Sequence, residues 1–349
     1  MKIDRRLLMS GALAGGALMI ARSGHAAEPG VSETPLPRLV DNRRVIVDTD
    51  PGNDDAIAIM MALSAPSLKV EAITVCPGNV NYDQEVRNAL YTVQVCGFAG
   101  KVPVHAGMRR PILNVTYPSA NFIHGKYGLG NVEVPEVAQK VDPEHAAHAI
   151  IRIVRKYPGE VVILALGGLS NVAMALLLDP DIAKLIKGVQ FVCGANSALP
   201  GFNVLADPEA AHVVFNSGVP LVIGLGGPAD TILTKADFDQ IAKFDTPRSR
   251  FFMSSNELRL TFEMSARNAP GSVNADPMAV AMIIDPSIGE EFKAVAARVE
   301  LEGEYTRGVV LYGENRYNMK PTGAPNANLC VKASNAKFKK LLFDTLKGA

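Results

Sequence analysis

The sequence contains no tryptophan, and aromatic residues make up only 6% of its 349 positions. Platforms on which nucleic-acid bases could stack are therefore few. An excess of charge of one sign is also missing, because 35 Lys and Arg stand against 35 Asp and Glu. Without a basic surplus, nucleic acid is excluded as the main partner, since phosphate binding draws on a positive face. Cysteine is sparse: Cys76, Cys96, Cys193 and Cys330 are widely spaced, show no C-x-x-C pattern, and each lies in or beside an apolar run. That distribution reads as free buried thiols rather than a disulfide framework. Internal repeats and low-complexity tracts are absent. With 48% hydrophobic residues, wholesale disorder is excluded and an enzyme-sized globular chain is expected.

The N-terminus reads as an address. Lys2, Arg5 and Arg6 precede an uncharged apolar run from Leu7 to Ala21, and Gly24-His25-Ala26 offers small residues for cleavage. The run is too short to span a bilayer comfortably and no stop-transfer cluster follows, so no membrane anchor is expected after processing. The pair Arg5-Arg6 followed by Leu7-Leu8, with a core diluted by Gly15 and Gly16, resembles a twin-arginine export signal. Residues 1–26 are thus assigned to a signal peptide, 27–42 to a flexible lead-in and 43–349 to a single catalytic domain, with a periplasmic location. Cutting after Ala26 removes Lys2, Arg5, Arg6 and Arg22 but only Asp4, which leaves a net charge of −3.

The body alternates short apolar runs with helical stretches. Strands are expected at Arg44–Val47, Leu68–Cys76, Val102–Val104, Val161–Leu166, Val189–Cys193 and Pro220–Gly224, and further strands in the last sixty residues. Helices are expected at Asp54–Ala65, Tyr82–Gly97, Pro143–Lys156 and Asp207–Asn216, with a closing helix at Ala336–Leu346. Continuous apolar strands alternating with helices predict an α/β fold, an open doubly wound and mostly parallel sheet with helices on both faces. Its site would lie at the carboxyl ends of the strands.

The densest chemistry is Asp48-Thr49-Asp50-Pro51-Gly52-Asn53-Asp54-Asp55, at the end of the first strand. Four carboxylates so close repel one another strongly where water is excluded. Asp54 and Asp55 fall at a helix start, where free N–H groups and the helix dipole favour negative charge. Asp48 and Asp50 have no such local compensation. A hard cation would supply it, and all-oxygen ligation points to Ca²⁺ or Mg²⁺ rather than Zn²⁺. A phosphate site or a solvated acidic turn is the alternative reading of the residues alone.

This stretch resembles the N-terminal fingerprint of the nucleoside hydrolases, calcium-dependent ribohydrolases. The similarity extends to Pro77-Gly78-Asn79, His124-Gly125 with Gly128-Leu129-Gly130, Gly167-Gly168-Leu169-Ser170-Asn171, Phe202-Asn203, Asp207-Pro208-Glu209 and Asp276-Pro277. The resemblance implies hydrolysis of ribonucleosides to ribose and free base. It implies a Ca²⁺ held by Asp50, Asp55, Asp276 and the backbone carbonyl of Leu166, with Asp50 taking a proton from the attacking water. It places Asp54, Asn79, Asn196 and Asn203 on the ribose, and it implies a homodimer or homotetramer.

Two positions depart from the family's pattern. Gly201 stands where members commonly carry a Glu before the Phe-Asn pair, and Ala275 stands where some place a leaving-group His. Purine-favouring members stack the base between tryptophans, which this chain lacks. His124, Tyr127, Tyr117 and Asn274 are the candidate replacements, with His124 favoured by its loop and motif. His145, His148 and His212 lie in helical stretches and read as structural, and His105 follows a short strand. Three rival readings remain open at this point. One is a haloacid-dehalogenase-type phosphohydrolase, in which Asp48 accepts the phosphoryl group and Asp50 acts as its acid with Mg²⁺. The second is an exported nucleoside- or ribose-binding protein with lost catalysis. The third is a hydrolase of a modified N-riboside.

Overall fold

The computed structural model describes residues 36, 38–41, 43–113, 118–193, 199–224, 228–313 and 323–348. The assigned signal peptide and most of the lead-in lie outside these residues, as do Asn196 and Tyr117. Strands β1 (Arg44–Thr49), β2 (Lys69–Val75), β3 (Val104–Ala106), β4 (Val161–Ala165), β5 (Gly188–Phe191) and β6 (Leu221–Ile223) are short, rich in β-branched residues and largely buried. All six pair in parallel. An antiparallel pair, β7 (Ile232–Thr234) with β8 (Gly271–Val273), stands apart as a second small sheet. The main sheet is completed by β9 (Gly289–Val299), β10 (Val310–Gly313) and β11 (Ala327–Ala333). Of these, β11 joins β6 in parallel and the other two run antiparallel at the edge. The full order is β10-β9-β11-β6-β5-β4-β1-β2-β3. The expected open, mostly parallel sheet is observed, and Pro35–Ala349 forms one compact unit.

Helices cover both faces: α1 (Asn53–Ser64), α2 (Tyr82–Val95), α3 (Asn121–His124), α4 (Ala146–Lys156), α5 (Ser170–Leu178), α6 (Phe202–Ala206), α7 (Pro208–Asn216), α8 (Lys235–Ala242), α9 (Pro247–Ala266), α10 (Ala275–Ile284) and α11 (Asn335–Lys347). The period-two geometry of the strands decides which core each side chain enters. Val45 and Val47 face α1, α2, α10 and α11, whereas Ile46 between them faces α4, α5 and α7. In β4, Val162 and Leu164 join the first core and Val161, Ile163 and Ala165 the second. Helix α1 is apolar all round after its first turn and α10 nearly so, which suits two helices packed against each other in the interior. Among the described residues no helix is long and apolar enough to cross a membrane.

The central strands run β3-β2-β1-β4-β5-β6, so consecutive connections leave β1 toward one edge and resume beyond it at β4 toward the other. The loops after β1 and β4 therefore diverge and open a crevice at the strands' carboxyl ends. Asp50 follows β1 directly and Leu166 follows β4 directly, so topology alone brings these two loops together.

Asp48, the penultimate residue of β1, corrects an expectation. It lies within the sheet layer, fully buried and outside the acidic grouping, and its compensation is local: Oδ1 accepts from Thr74 Oγ1 at 2.6 Å and from Asn171 Nδ2 at 2.8 Å, while Oδ2 is buried without a hydrogen bond among the described residues. Asn171 Nδ2 also donates to the Val75 carbonyl, and Asn171 Oδ1 accepts from the Met108 amide, so one buried amide ties β1, β2, α5 and the loop after β3. Burial pushes the Asp48 carboxyl up to about 7, against the bonds from Thr74 and Asn171 that favour its charged form. A folded-state value above the ordinary 3.8 means that the folded chain keeps a proton that the unfolded chain has released. Its stabilising contribution is full below the ordinary carboxylate range and is lost as pH rises toward 7, at up to ~1.4 kcal/mol per pH unit. Asp48→Asn keeps an acceptor and abolishes the ionisation. Urea unfolding in chelator at pH 5 and pH 8 should therefore show a smaller loss of stability across that interval for the variant than for the wild type.

Candidate active site

The crevice is an open cleft whose lining includes Asp50, Asp54, Asn79, Ala120, Phe122, Ile123, His124, Leu166, Asn203, Arg259, Arg267, Ala275 and Asp276. Its floor is acidic. Oxygens of Asp54, Asp55 and Asp276 lie within 4.8 Å of one another, a grouping that could hold a metal ion. Asp50 lies near enough to Asp55 and Asp276 to feel their charge, and Asp276 to Asp54 and Asp55. Burial, then repulsion among Asp50, Asp54, Asp55, Glu85 and Asp276, drives the Asp50 and Asp276 carboxyls well above the usual range. Burial and Asp54 raise Asp55 to about 6, against bonds from Thr49 Oγ1 (2.6 Å) and the Gly52 amide (3.0 Å). Such raised values are what a cation-binding carboxylate set shows when only protons balance it. The residues fit a divalent ion with oxygen ligands.

Each side of Asp50 is cleared by a glycine. A Cβ added at Gly78 would lie 1.7 Å from Asp50 Oδ2, and one added at Gly167 would lie 2.4 Å from Oδ1. Oδ2 is buried and has no hydrogen-bond partner among the described residues. The loop carrying Gly78 and Asn79 is held by Glu85 from α2, whose Oε1 accepts from the Val80 amide at 2.9 Å and the Gly78 amide at 3.2 Å. Burial lifts the Glu85 carboxyl to about 8.

The amide side chains share a pattern. Asn79 Nδ2 donates to the Asp50 carbonyl (2.9 Å) and to Asp55 Oδ2 (3.0 Å). Asn203 Nδ2 donates to the Leu166 carbonyl and to the Val192 carbonyl (2.9 Å). Each amide nitrogen is thereby committed to the protein, and each Oδ1 makes no hydrogen bond among the described residues. Asp54 Oδ1 is buried without a hydrogen bond, with His124 Nδ1 3.7 Å away. Three bare acceptors around one cleft are suited to hydroxyl donors.

The opposite wall comes from α3 and α9. His124 Nδ1 lies 2.8 Å from Asn53 Oδ1 and 3.2 Å from the Asn53 amide, and burial lowers the ring to about 4, leaving it neutral near pH 7. Arg259 Nη1 bonds Asp54 Oδ2 at 2.6 Å and Asn53 Oδ1 at 3.0 Å. Burial would raise the Asp54 carboxyl, but the Arg259 guanidinium and His124 hold it below its ordinary value. Glu263, one turn further along α9, lies behind Arg259 and accepts from the Val273 amide at 2.6 Å. Arg267 stands at the rim over the Phe262 ring, and Phe262 in turn packs against the exposed Phe122.

The structure thus brings Asp50, Asp54, Asn79, His124, Leu166, Asn203 and Asp276 to one cleft, with Asp55 bonded beneath them. Asn196 and Tyr117 lie outside the described residues. Tyr127 and Asn274 are not part of the lining. The Tyr127 carbonyl accepts from Asn88, and Asn274, buried before α10, donates to the Ser272 carbonyl. Asp48, buried under the sheet ends and bonded to Thr74 and Asn171, is not placed as a phosphoryl acceptor. His105 sits at the β3 edge near Asp142 and Glu144, away from the lining, while His148 and His212 are exposed and His145 caps α4. All four cysteines are buried and free. Arg259, Glu263, Arg267 and Glu85 were not anticipated from sequence.

An acidic floor at the switch point of a parallel sheet, beside acceptors turned to the cleft, suits a cation and a hydroxyl-bearing substrate. Residues 45–340 match the family described as inosine-uridine preferring nucleoside hydrolase. The chain belongs to this family, whose members cleave N-ribosyl bonds. It is 33% identical over 313 residues to the inosine-uridine preferring nucleoside hydrolase of Crithidia fasciculata, covering 87% of this chain and 98% of that protein. It is also 33% identical over 253 residues to the pyrimidine-specific ribonucleoside hydrolase RihB of Escherichia coli, covering 71% and 80% respectively. Among solved structures, the plant nucleoside hydrolase PpNRh1 superposes with a TM-score of 0.80 at 28% identity, over 87% of this chain and 99% of that one. A purine-preferring ribonucleoside hydrolase from Gardnerella vaginalis gives 0.79 at 29% identity, over 88% and 98%.

The glycine cradle makes a sharp test of the floor. Gly78→Ala must push the Asp50 carboxylate out of place, and displacements of about an ångström at a reacting group lower rates on the order of a hundredfold. Ribose release should fall by about that factor while circular dichroism stays unchanged. Wild-type turnover in Gly78→Ala would show that Asp50 need not stand where the cradle holds it.

Proposed function

We propose that the mature chain hydrolyses the N-glycosidic bond of ribonucleosides to ribose and free base, using Ca²⁺ and Asp50 as general base. The observation that carries this reading is the Asp50 carboxylate, fixed between Gly78 and Gly167 on the cleft floor with Oδ2 unpartnered and Asp55 and Asp276 beside it. Asp50, Asp55, Asp276 and the Leu166 carbonyl would hold the ion. When bound, the ion orients a water and lowers its pKa.

The remaining work falls to the chain's own groups. Asp50 accepts the water's proton as the water closes on C1′. Asp54 Oδ1, Asn79 Oδ1 and Asn203 Oδ1 accept from the sugar hydroxyls and hold the ring while C1′ gains positive charge. The acidic floor lowers the energy of that developing charge. Asn196 would add a further sugar contact, and His124 would close the cleft over the base. The binding-protein reading is disfavoured by the unpartnered base beside the acidic floor, which a binder does not need. A modified N-riboside remains the second reading, favoured by Ala275 on the leaving-group side.

Two measurements test the proposal. Because the floor carboxyls are raised while protons balance them, Ca²⁺ must displace protons as it binds. Calorimetry in buffers of different ionisation enthalpy should therefore show proton release and an affinity that climbs with pH. Asp50→Asn should lower kcat on uridine and inosine by at least about a thousandfold, the scale of a lost general base, with thermal stability preserved. Wild-type turnover in that variant, or full activity in chelator, would remove the proposed mechanism.

The same proposal places the enzyme in the periplasm as a homodimer or homotetramer, exported by residues 1–26. Arg5-Arg6 before Leu7-Leu8 supports the twin-arginine route, and the family resemblance supports the oligomer. Four buried free cysteines agree with a chain that folds before export. Arg5→Lys with Arg6→Lys should retain the full-length precursor in the cytoplasm on fractionation, whereas unimpaired export would point to the general secretory route.

A further inference from the structure

The base side of the cleft lacks both an acid at position 275 and any tryptophan, yet it holds a cation. Arg259 is 6% exposed and lines the same cleft as Ala275. Its bonds to Asp54 and Asn53 both run through Nη1. Nε faces Glu263 Oε1 at 3.8 Å, behind the cleft wall, whereas Nη2 makes no hydrogen bond among the described residues. A guanidinium carries five N–H donors and keeps its proton at any physiological pH, so the Nη2 donors remain unused on a buried cation that lines the cleft. Among the described residues the lining holds no second buried cation, since His124 is neutral near pH 7 and Arg267 is exposed. His124 Nδ1 is committed to Asn53, Tyr127 and Asn274 lie outside the lining, and Arg267 is 52% exposed at the rim.

Resting on the hydrolase reading above, we propose that Arg259 is the leaving-group residue: the base departs as an anion neutralised by this guanidinium rather than protonated by an acid. The C1′–N bond breaks with its electron pair passing to the base nitrogen. Water adds to C1′ and its proton goes to the Asp50 carboxylate. The base anion leaves paired with Arg259 and takes a proton from bulk water, while Asp50 returns its own to bulk, so nucleoside and water give ribose and neutral base. Charge neutralisation without proton transfer favours bases that are themselves acidic. The substrate class is therefore nucleosides of oxo-bases, with uridine preferred over cytidine, which has nearly the same shape and a far less acidic base.

The test compares uridine with p-nitrophenyl riboside, whose phenolate departs unaided, using the Ca²⁺-supplied chain. Arg259→Gln should lower kcat/KM on uridine about a hundredfold more than on the aryl riboside, the scale of one lost oxyanion-type donor, and Arg259→Lys should recover part of the difference. Arg267→Gln should leave the ratio of the two activities unchanged. Wild-type rates on 5-fluorouridine, uridine and 5-methyluridine should depend shallowly on the acidity of the base, and steeply in Arg259→Lys. Equal losses on both substrates would mean that Arg259 acts only by holding Asp54 for the sugar, and would overturn the proposal. A ratio that moves in Arg267→Gln instead would do the same. If Arg259→Gln fails to fold, the wild-type slope and Arg259→Lys decide. A wild-type chain inactive on both substrates would refute the hydrolase reading itself, a result distinct from equal losses.

Discussion

Repulsion among carboxylates gathered on the floor of one cleft, largely buried from solvent, is the constraint to which the rest of this molecule answers. Asp50, Asp54, Asp55 and Asp276 converge from two helix starts and one strand end, and each is tolerated for its own reason. Asp54 is neutralised by Arg259, and Asp55 is held by Thr49, the Gly52 amide and Asn79. Asp50 and Asp276 have the least compensation and the strongest upward shift. Uneven compensation is what makes a site of the cluster, because the groups left unsatisfied are those that can still take up a cation or a proton.

The surrounding architecture serves that arrangement. The sheet supplies a crevice between β1 and β4, and Asn171 locks the strands on either side of it through Asp48 and Val75. Glu85 reaches from α2 to fix the loop on which Gly78 and Asn79 stand. Arg259 and Asn53 tie α9 to the first turn of α1, so the wall that faces the base is fastened to the floor that holds the sugar. In the proposed mechanism, sugar and base would be held by parts tied directly to one another.

Most of the acidic floor was legible from sequence because Asp50, Asp54 and Asp55 lie in one run whose repulsion has a local signature, whereas the distant Asp276 was placed there only by the family resemblance. The parallel strands were legible for a similar reason, as short apolar runs between helices. Helix α9 was not. Its buried face mixes Phe251, Phe252 and Leu260 with Ser249, Ser255, Asn256, Arg259 and Glu263, so the apolar periodicity that normally marks a helix is broken by polar residues. The available signals were Thr246-Pro247, which caps the helix, and the i, i+4 spacing of Arg259 and Glu263. Asp48 misled in the opposite direction. It sits in the densest acidic run, but the partners that satisfy it, Thr74 and Asn171, are 26 and 123 residues away, and no local reading could supply them.

The three bare acceptors on Asp54, Asn79 and Asn203 have a consequence for what the cleft turns away. A site built of acceptors is satisfied only when every facing hydroxyl is present. A sugar with one hydroxyl missing strands an oxygen in a water-poor pocket, and such a stranded group carries a penalty of about 1–3 kcal/mol. Rejection by an unmet partner is sharper than rejection by size. Discrimination between ribose and deoxyribose would therefore reside in oxygens that the resting protein itself leaves unbonded.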